Sequence, residues 1–335
     1  MVAAGYLHTV LLRSDGTAVA FGANRYDQCN VPALDGGLSY TQVAAGSLHT
    51  VLLRSDGTAV AFGANHRCQC NVPALDGGLS YTQVAAGSFH TVLLRSDGTA
   101  VAFGANRHDQ CHVPALDGGL SYTQVAAGSG HTVLLRSDGT AVAVGANHRG
   151  QCHVPALDGG LSYTQVAAGD LHTVLLRSDG TAVAFGANNC GQCNVPALDG
   201  GLSYAQAAAG SGHTVLLRSD GTAVAVGANG SGQCHVPALD GALTYTARVL
   251  VGATLLLQAS LDGGAVRFLT LGGVERCRVR VAPGAPLAGV RDWLAGELGA
   301  GRLGPGLGRA DAALPGGRLL SGASAGETVA DAFGL

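Results

Sequence analysis

Val43–Asn65 reads VAAGSLHTVLLRSDGTAVAFGAN, and this frame occurs six times at an interval of 41 residues. One histidine marks each copy: His8, His49, His90, His131, His172 and His213. A fixed period in the range of roughly 20–50 residues signals one supersecondary unit stacked many times. Within a copy, Tyr-Thr-Gln-Val-Ala-Ala-Gly is a short alternating segment ending in small residues. His-Thr-Val-Leu-Leu-Arg-Ser is richer in β-branched and large apolar side chains, and Thr-Ala-Val-Ala-Phe-Gly-Ala-Asn alternates again. Asp56-Gly57 falls between two apolar runs, which is a hairpin signal because such a turn needs positive φ at its centre. A Gly-x-x-His link joins the first two strands. The return from Gln69 to Tyr81, QCNVPALDGGLSY, holds Pro and two glycines and reads as a crossover to the next unit.

Three or four antiparallel strands per unit, repeated radially, make the blades of a β-propeller. A helical solenoid needs apolar residues at 3.6 spacing, which the repeat lacks, and a parallel β-helix uses shorter coils without a glycine-stopped hairpin. The fold class is therefore mainly β, with a six- to seven-bladed propeller followed by a small α+β domain. The Val-Ala-Ala-Gly strand suits the crowded inner edge of a blade, and the Phe-bearing strand suits the wider outside.

The 335 residues leave room for two domains. Charged residues make up 12% of the chain, about half of the usual share of roughly 25%, and Gly and Ala take their place. All nineteen basic residues are Arg, and the sequence contains no Lys and no Ile. A GC-biased coding sequence accounts for both, and it leaves no internal lysine for ubiquitin or acetyl attachment. A formal net charge of −3 argues against a nucleic-acid footprint, which needs clustered positive charge. The start MVAAGYLHTV has neither a basic region nor a signal-length apolar stretch. No segment approaches 18 uninterrupted apolar residues. The expectation is a protein without a membrane span, cytoplasmic, with the nucleus as the second location. Of nine cysteines, six recur once per repeat (Cys29, Cys70, Cys111, Cys152, Cys193 and Cys234), which favours free thiols over a disulfide framework.

The pattern Val-Ala-x-Gly, His-Thr, Asp-Gly-Thr, Gly-x-Asn and Gln, present in all six units, resembles the repeat of the regulator of chromosome condensation family. The short unit with Gln and Val-Pro also resembles the bacterial propeller inhibitors of β-lactamase. Two departures stand out. The family's Trp before Gly-x-Asn is replaced by Phe21, Phe62, Phe103, Val144, Phe185 or Val226, and the Gly before Gln survives only at Gly150, Gly191 and Gly232. The resemblance implies a propeller that binds proteins. It also implies two further roles: guanine-nucleotide exchange on a small GTPase, or substrate recruitment related to HECT-type ubiquitin ligases. No exchange wedge can be matched in the short repeats, and the chain has no room for the roughly 350-residue ligase region.

Residues 1–250 are assigned to the propeller. The stretch 251–265 is contested between a closing blade and a linker: Gly252–Phe268 aligns with the repeat when one residue is inserted, with Leu255 at the histidine position. Residues 266–335 read as a ubiquitin-like α+β domain, possessing a hairpin over VRFLTLGG and ERCRVRVAP and a helix over 286–298, and lacking its last strand.

The six histidines lie a sheet-packing distance of about 10 Å or more apart, too far to share a metal. The structural reading is a tautomer-fixed hydrogen bond that ties the inner strand of a blade to the next strand. The repeated cysteines read as small apolar filler, and the repeated Arg as solvated faces. Cys68-Gln69-Cys70 and Cys190-Gly191-Gln192-Cys193 could each offer two thiolates, but structural zinc needs four ligands and no matching pair exists. Gly299–Gly304 satisfies a dinucleotide-type glycine pattern, yet it follows a helix instead of a strand. No catalytic group and no cofactor is assigned, and an enzyme is not expected.

Most positions are identical across the repeats, yet two short windows vary. One precedes the histidine and contains Tyr6, Leu7, Leu48, Phe89, Asp170 and Leu171. The other follows Gly-Ala-Asn and contains Arg25, Tyr26, Asp27, His66, Arg67, Arg107, His108, Asp109, His148 and Arg149. Strand alternation puts both windows on one face and the Asp-Gly turns on the other. Drift of surface loops is the plain explanation. Against it, the Asp-Gly-Thr turns are also surface loops and have not drifted, although hairpin chemistry holds them. The wealth of Arg, His, Tyr and Phe suits an interaction surface. The expected function is a non-enzymatic scaffold that binds a protein partner there, either a small GTPase or a ubiquitin-pathway component, with no nucleic acid and no membrane.

Overall fold

The computed structural model describes residues 1–237 and 244–245 fully, and the backbone of strands 255–262, 265–270, 275–280 and 310–313. It divides into two compact units, Met1–Tyr245 and Thr246–Leu335.

The first unit contains six three-stranded antiparallel sheets among the described residues. Blade 1 is β1 (Val2–Ala4), β2 (His8–Leu12) and β3 (Ala18–Gly22), and blade 2 is β4 (Tyr40–Ala45), β5 (His49–Arg54) and β6 (Ala59–Gly63). The same three strands recur through blade 6, composed of β16 (Tyr204–Ala209), β17 (His213–Arg218) and β18 (Ala223–Gly227). Among the described residues each blade therefore has three strands. The Val-Ala-Ala-Gly strand is innermost: Ala4, Ala45, Ala86, Ala127, Ala168 and Ala209 line a common axial funnel.

The middle strand shows why the repeat needs an unbroken apolar run. Successive side chains of a strand point to opposite faces, and here both faces are covered. Val92 and Leu94 of blade 3 pack with Tyr122, Val125 and Leu134 of blade 4. Leu93, between them, packs the other way against Val51 and Leu53 of blade 2. The core thus lies in the seams between blades, and Leu52, Leu93, Leu134 and Leu175 are completely buried.

The Asp-Gly sequence forms the expected hairpin turn between the second and third strands. In blade 4 the Gly139 N–H donates to Arg136 O at 3.0 Å, and the Arg136 N–H donates to Thr140 O at 2.8 Å. Only Gly139 has positive φ, +79°. This is a three-residue loop with a glycine bulge, whose strand-matching twist needs one left-handed residue and not two. Asp138 instead acts as an acceptor, taking the Thr140 backbone N–H at 2.9 Å and its hydroxyl at 2.7 Å. Those two bonds hold the Asp138 carboxyl below its usual range. The repeated Arg is also less solvated than expected: Arg95 pairs across the strands with buried Tyr81, and its Nε is buried.

In the second unit β19 (Leu255–Asp262), β20 (Ala265–Thr270), β21 (Glu275–Arg280) and β22 (Ala310–Ala313) form one sheet in the order β21-β20-β19-β22. The pairs β19–β20 and β20–β21 are antiparallel, and β22 runs parallel to β19. Residues 255–262, part of the contested stretch, therefore share a sheet with 265–270. The expected helix over 286–298 lies outside the described residues, as do most positions on which the ubiquitin-like reading rests.

Candidate partner-binding rim

The repeated histidine bridges two blades, and not two strands of one blade as the sequence suggested. His131 Nε2 lies 3.0 Å from Thr173 Oγ1 on the following blade. The Thr173 hydroxyl donates its own proton to Gln151 O at 2.8 Å. With its one proton committed, Thr173 can only accept from His131, which fixes the imidazole proton on Nε2. The bare Nδ1 is buried without a partner. The same latch recurs at His8–Thr50, His49–Thr91, His90–Thr132 and His172–Thr214, at 2.9 to 3.0 Å. Burial pushes His49, His90, His131 and His172 down to about 4, with neighbouring imidazoles adding to the effect.

A second device joins inner strands. The Gln124 side-chain amide donates to Thr164 O at 3.0 Å, and its carbonyl accepts the Val166 N–H at 3.2 Å. Neither the latch threonine nor this glutamine was singled out from the sequence. Their only signal was repetition: the threonine is present in all six units, and the glutamine in five, with Met1 at its position in the first.

The cysteines behave as expected from their repetition. Each per-repeat thiol sits near a carbonyl of its own loop, as Cys111 Sγ does 3.3 Å from Ala105 O. Burial pushes Cys70, Cys111, Cys152 and Cys193 up to about 11, so they are poor nucleophiles at neutral pH. All eight described cysteines are free. Cys68 and Cys190 are exposed in the variable windows.

In every blade the first variable window is tied to the invariant alanine two residues ahead of the second window. The Ala23 N–H donates to Leu7 O, Ala64 to Leu48 O, Ala105 to Phe89 O and Ala187 to Leu171 O, each at 2.8 Å. The windows also touch across seams. The rings of Tyr26 and His66 meet edge to face at 5.2 Å, and Arg25 lies 5.7 Å over the Tyr26 ring. His108 reaches the space beside Gly130 in the next blade. Tyr6 and Leu7 are 71% and 56% exposed, so both present apolar area to solvent. Phe89, Arg25, Asp27, His66, Arg67, Arg107, His108, Asp109, His148 and Arg149 are exposed as well, whereas Tyr26, Leu48, Asp170 and Leu171 are half-buried. Tyr6, Ser47, Ser88, Asp170 and Ser211 reach from this rim into the axial funnel of about 600 Å³, which glycines such as Gly46 and Gly87 also line.

The loop frame beneath the rim is rigid. Asn65 Oδ1 accepts the Cys70 N–H at 2.9 Å, and Gln69 Oε1 accepts the Arg67 N–H at 2.9 Å. Asp27, Cys68 and Asp109 hold φ of +62°, +63° and +62° where later blades have glycine.

Six radially arranged three-stranded blades around an axial funnel define a β-propeller. The model of the regulator of chromosome condensation (RCC1) repeat matches residues 2–28, 40–69, 81–110, 122–151, 163–192 and 204–233, more than half of the chain. The chain belongs to that repeat family. Among solved structures it is similar to yeast RCC1 (Prp20) bound to Kap60, at 20% identity and a TM-score of 0.58 over 68% of this chain and 69% of that one. Prp20p from Saccharomyces cerevisiae, whose structure was described with its binding properties to Gsp1p and histones, matches at 20% identity and 0.58, over 68% and 71%. Human WBSCR16 matches at 18% and 0.58, over 68% and 76%. At these identities the likeness concerns the fold. No curated protein is a significant sequence match.

Proposed function

We propose that this chain is a propeller scaffold that captures another protein on the rim that carries the two variable windows. The observation that carries this reading is the contrast between the two ends of the blades. The Ser-Asp-Gly-Thr turns are identical in all six units, whereas the opposite end carries exposed Tyr6, Leu7, Phe89, His66, Arg67 and His108. Aromatic and Arg side chains on a rigid frame are the usual anchors of an interface, because they bring contact area at little ordering cost.

A second reading is guanine-nucleotide exchange on a small GTPase. It is favoured by membership of the repeat family and by likeness to Prp20p, a protein described as binding Gsp1p. The two readings separate in a pair of measurements. Affinity capture with the intact chain identifies a partner, and the quadruple variant Tyr26→Ala, Arg67→Ala, Phe89→Ala, His108→Ala loses it while its melting temperature stays within a few degrees. Nucleotide release from a panel of small GTPases tests exchange. Partner capture unaffected by the quadruple variant would remove the rim from consideration.

A further inference from the structure

The outer faces of the two terminal blades differ from every interior face. Each interior blade grips its successor through three devices: the Gln carboxamide on the inner strand, the His Nε2–H on the middle strand, and a Val and Leu between the sheets. In blade 4 these are Gln124, His131, Val133 and Leu135, and the last three are buried. Their counterparts in blade 6 are Gln206, His213, Val215 and Leu217, which are all only half-buried. Among the described residues neither Gln206 nor His213 has the hydrogen-bond partner that its equivalents have.

We propose that this face of blade 6 is a docking site for an antiparallel β-hairpin supplied by another polypeptide. The joints leaving blades 2 to 5, which carry all three devices, define the occupant's chemistry. Its first strand must present a C=O and an N–H two residues apart to Gln206, as Thr164 and Val166 do to Gln124. Its second strand must present a Thr hydroxyl to His213, and a Leu between Val215 and Leu217, as Thr173 and Leu175 do to blade 4. Such strand addition draws affinity from main-chain hydrogen bonds and specificity from alternate side chains.

The chain's own continuation matches this pattern poorly. It follows the repeat as far as Tyr245, whose N–H donates to Gly221 O at 2.7 Å and whose hydroxyl donates to Pro237 O at 2.9 Å. Beyond that point the hydroxyl position falls on Leu255 or, with the one-residue insertion, on Leu256. Neither can accept from His213. A blade-like hairpin carrying Thr therefore meets a demand that this sequence does not.

The test uses the full chain and a labelled synthetic hairpin peptide with the sequence of residues 122–136, followed by fluorescence anisotropy. Saturable binding at one peptide per chain is expected. The same peptide with Thr132→Val, and the Gln206→Ala and Val215→Asp chains, should each bind about tenfold or more weakly. Gln206→Ala alters only a half-buried amide, so it remains informative if Val215→Asp fails to fold. The rim variant Phe89→Ala should bind the peptide as the unaltered chain does. Absence of peptide binding, or equal binding by the Thr132→Val peptide and the Gln206→Ala chain, would overturn the proposal.

Discussion

His131 and Thr173 face each other at 3.0 Å across a blade seam, and the Thr173 hydroxyl passes its proton on to Gln151 O. One threonine thus receives both the middle strand and the outgoing loop of the blade before it. Thr173→Val keeps the volume but leaves a buried imidazole N–H and a carbonyl unpaired. A loss of roughly 1–3 kcal/mol is expected by urea denaturation, and Thr173→Ser should recover most of it. Equal losses for Val and Ser would assign the effect to packing instead.

The latch makes the fold acid-sensitive. His49, His90, His131 and His172 titrate near 4 when folded, below their ordinary value of 6.5. Between those values the unfolded chain binds more protons than the folded one, so stability falls as pH drops from about 6.5 toward 4. Above that window these groups contribute no pH dependence. The slope approaches about 1.4 kcal/mol per pH unit for each imidazole. Denaturation curves at pH 7.5, 6 and 5 should show the decline, and His131→Gln should reduce the slope by about one proton while costing stability at pH 7.5.

Cys68 holds a left-handed backbone at φ +63° with no compensating side-chain bond within its turn. Asp27, at the equivalent position, accepts a bond from Asn30 Nδ2 at 2.8 Å. Cys68→Gly should therefore raise the unfolding free energy by about 1 kcal/mol, and Asp27→Gly by less. The reverse order, read from melting temperatures, would contradict this account of the strain.

Gly128 is required for space. A Cβ there would collide with the Gly169 carbonyl of the next blade and with the His131 ring. Gly128→Ala should cost roughly 1–3 kcal/mol through forced separation of two blades, and the loss should appear in the denaturation midpoint.

The propeller was legible because one period dominates the sequence, and because Asp-Gly between two apolar runs marks a hairpin in each unit. The inner position of the Val-Ala-Ala-Gly strand was legible from side-chain size. The bond partner of the histidine was not, since a repeat unit read alone cannot show which atoms of the next unit it meets. His8 and Thr50 lie 42 residues apart, one more than the period, so the pair is invisible inside one copy. The hairpin was legible from Asp-Gly but its type was not: Asp-Gly suits both a two-residue turn and a glycine bulge, and the Asp138–Thr140 bonds accompany the bulge. The convergence of the variable windows followed from strand alternation, but their contacts across seams, such as Tyr26 with His66, needed coordinates.

The seams share the same His–Thr latch and nearly the same packed Val and Leu, and this has a consequence for how the chain reaches its fold. A blade carries no chemical label that distinguishes its proper neighbour from the next but one. Order is imposed by the short crossover from Gln to Ser-Tyr, which delivers each unit beside its predecessor before distant units can compete. Refolding from full denaturation should therefore populate skipped-blade pairings that synthesis from one end avoids. By the same logic, removal of one whole 41-residue unit by recombination would leave every remaining joint chemically complete, so blade number in this lineage is free to change in whole steps.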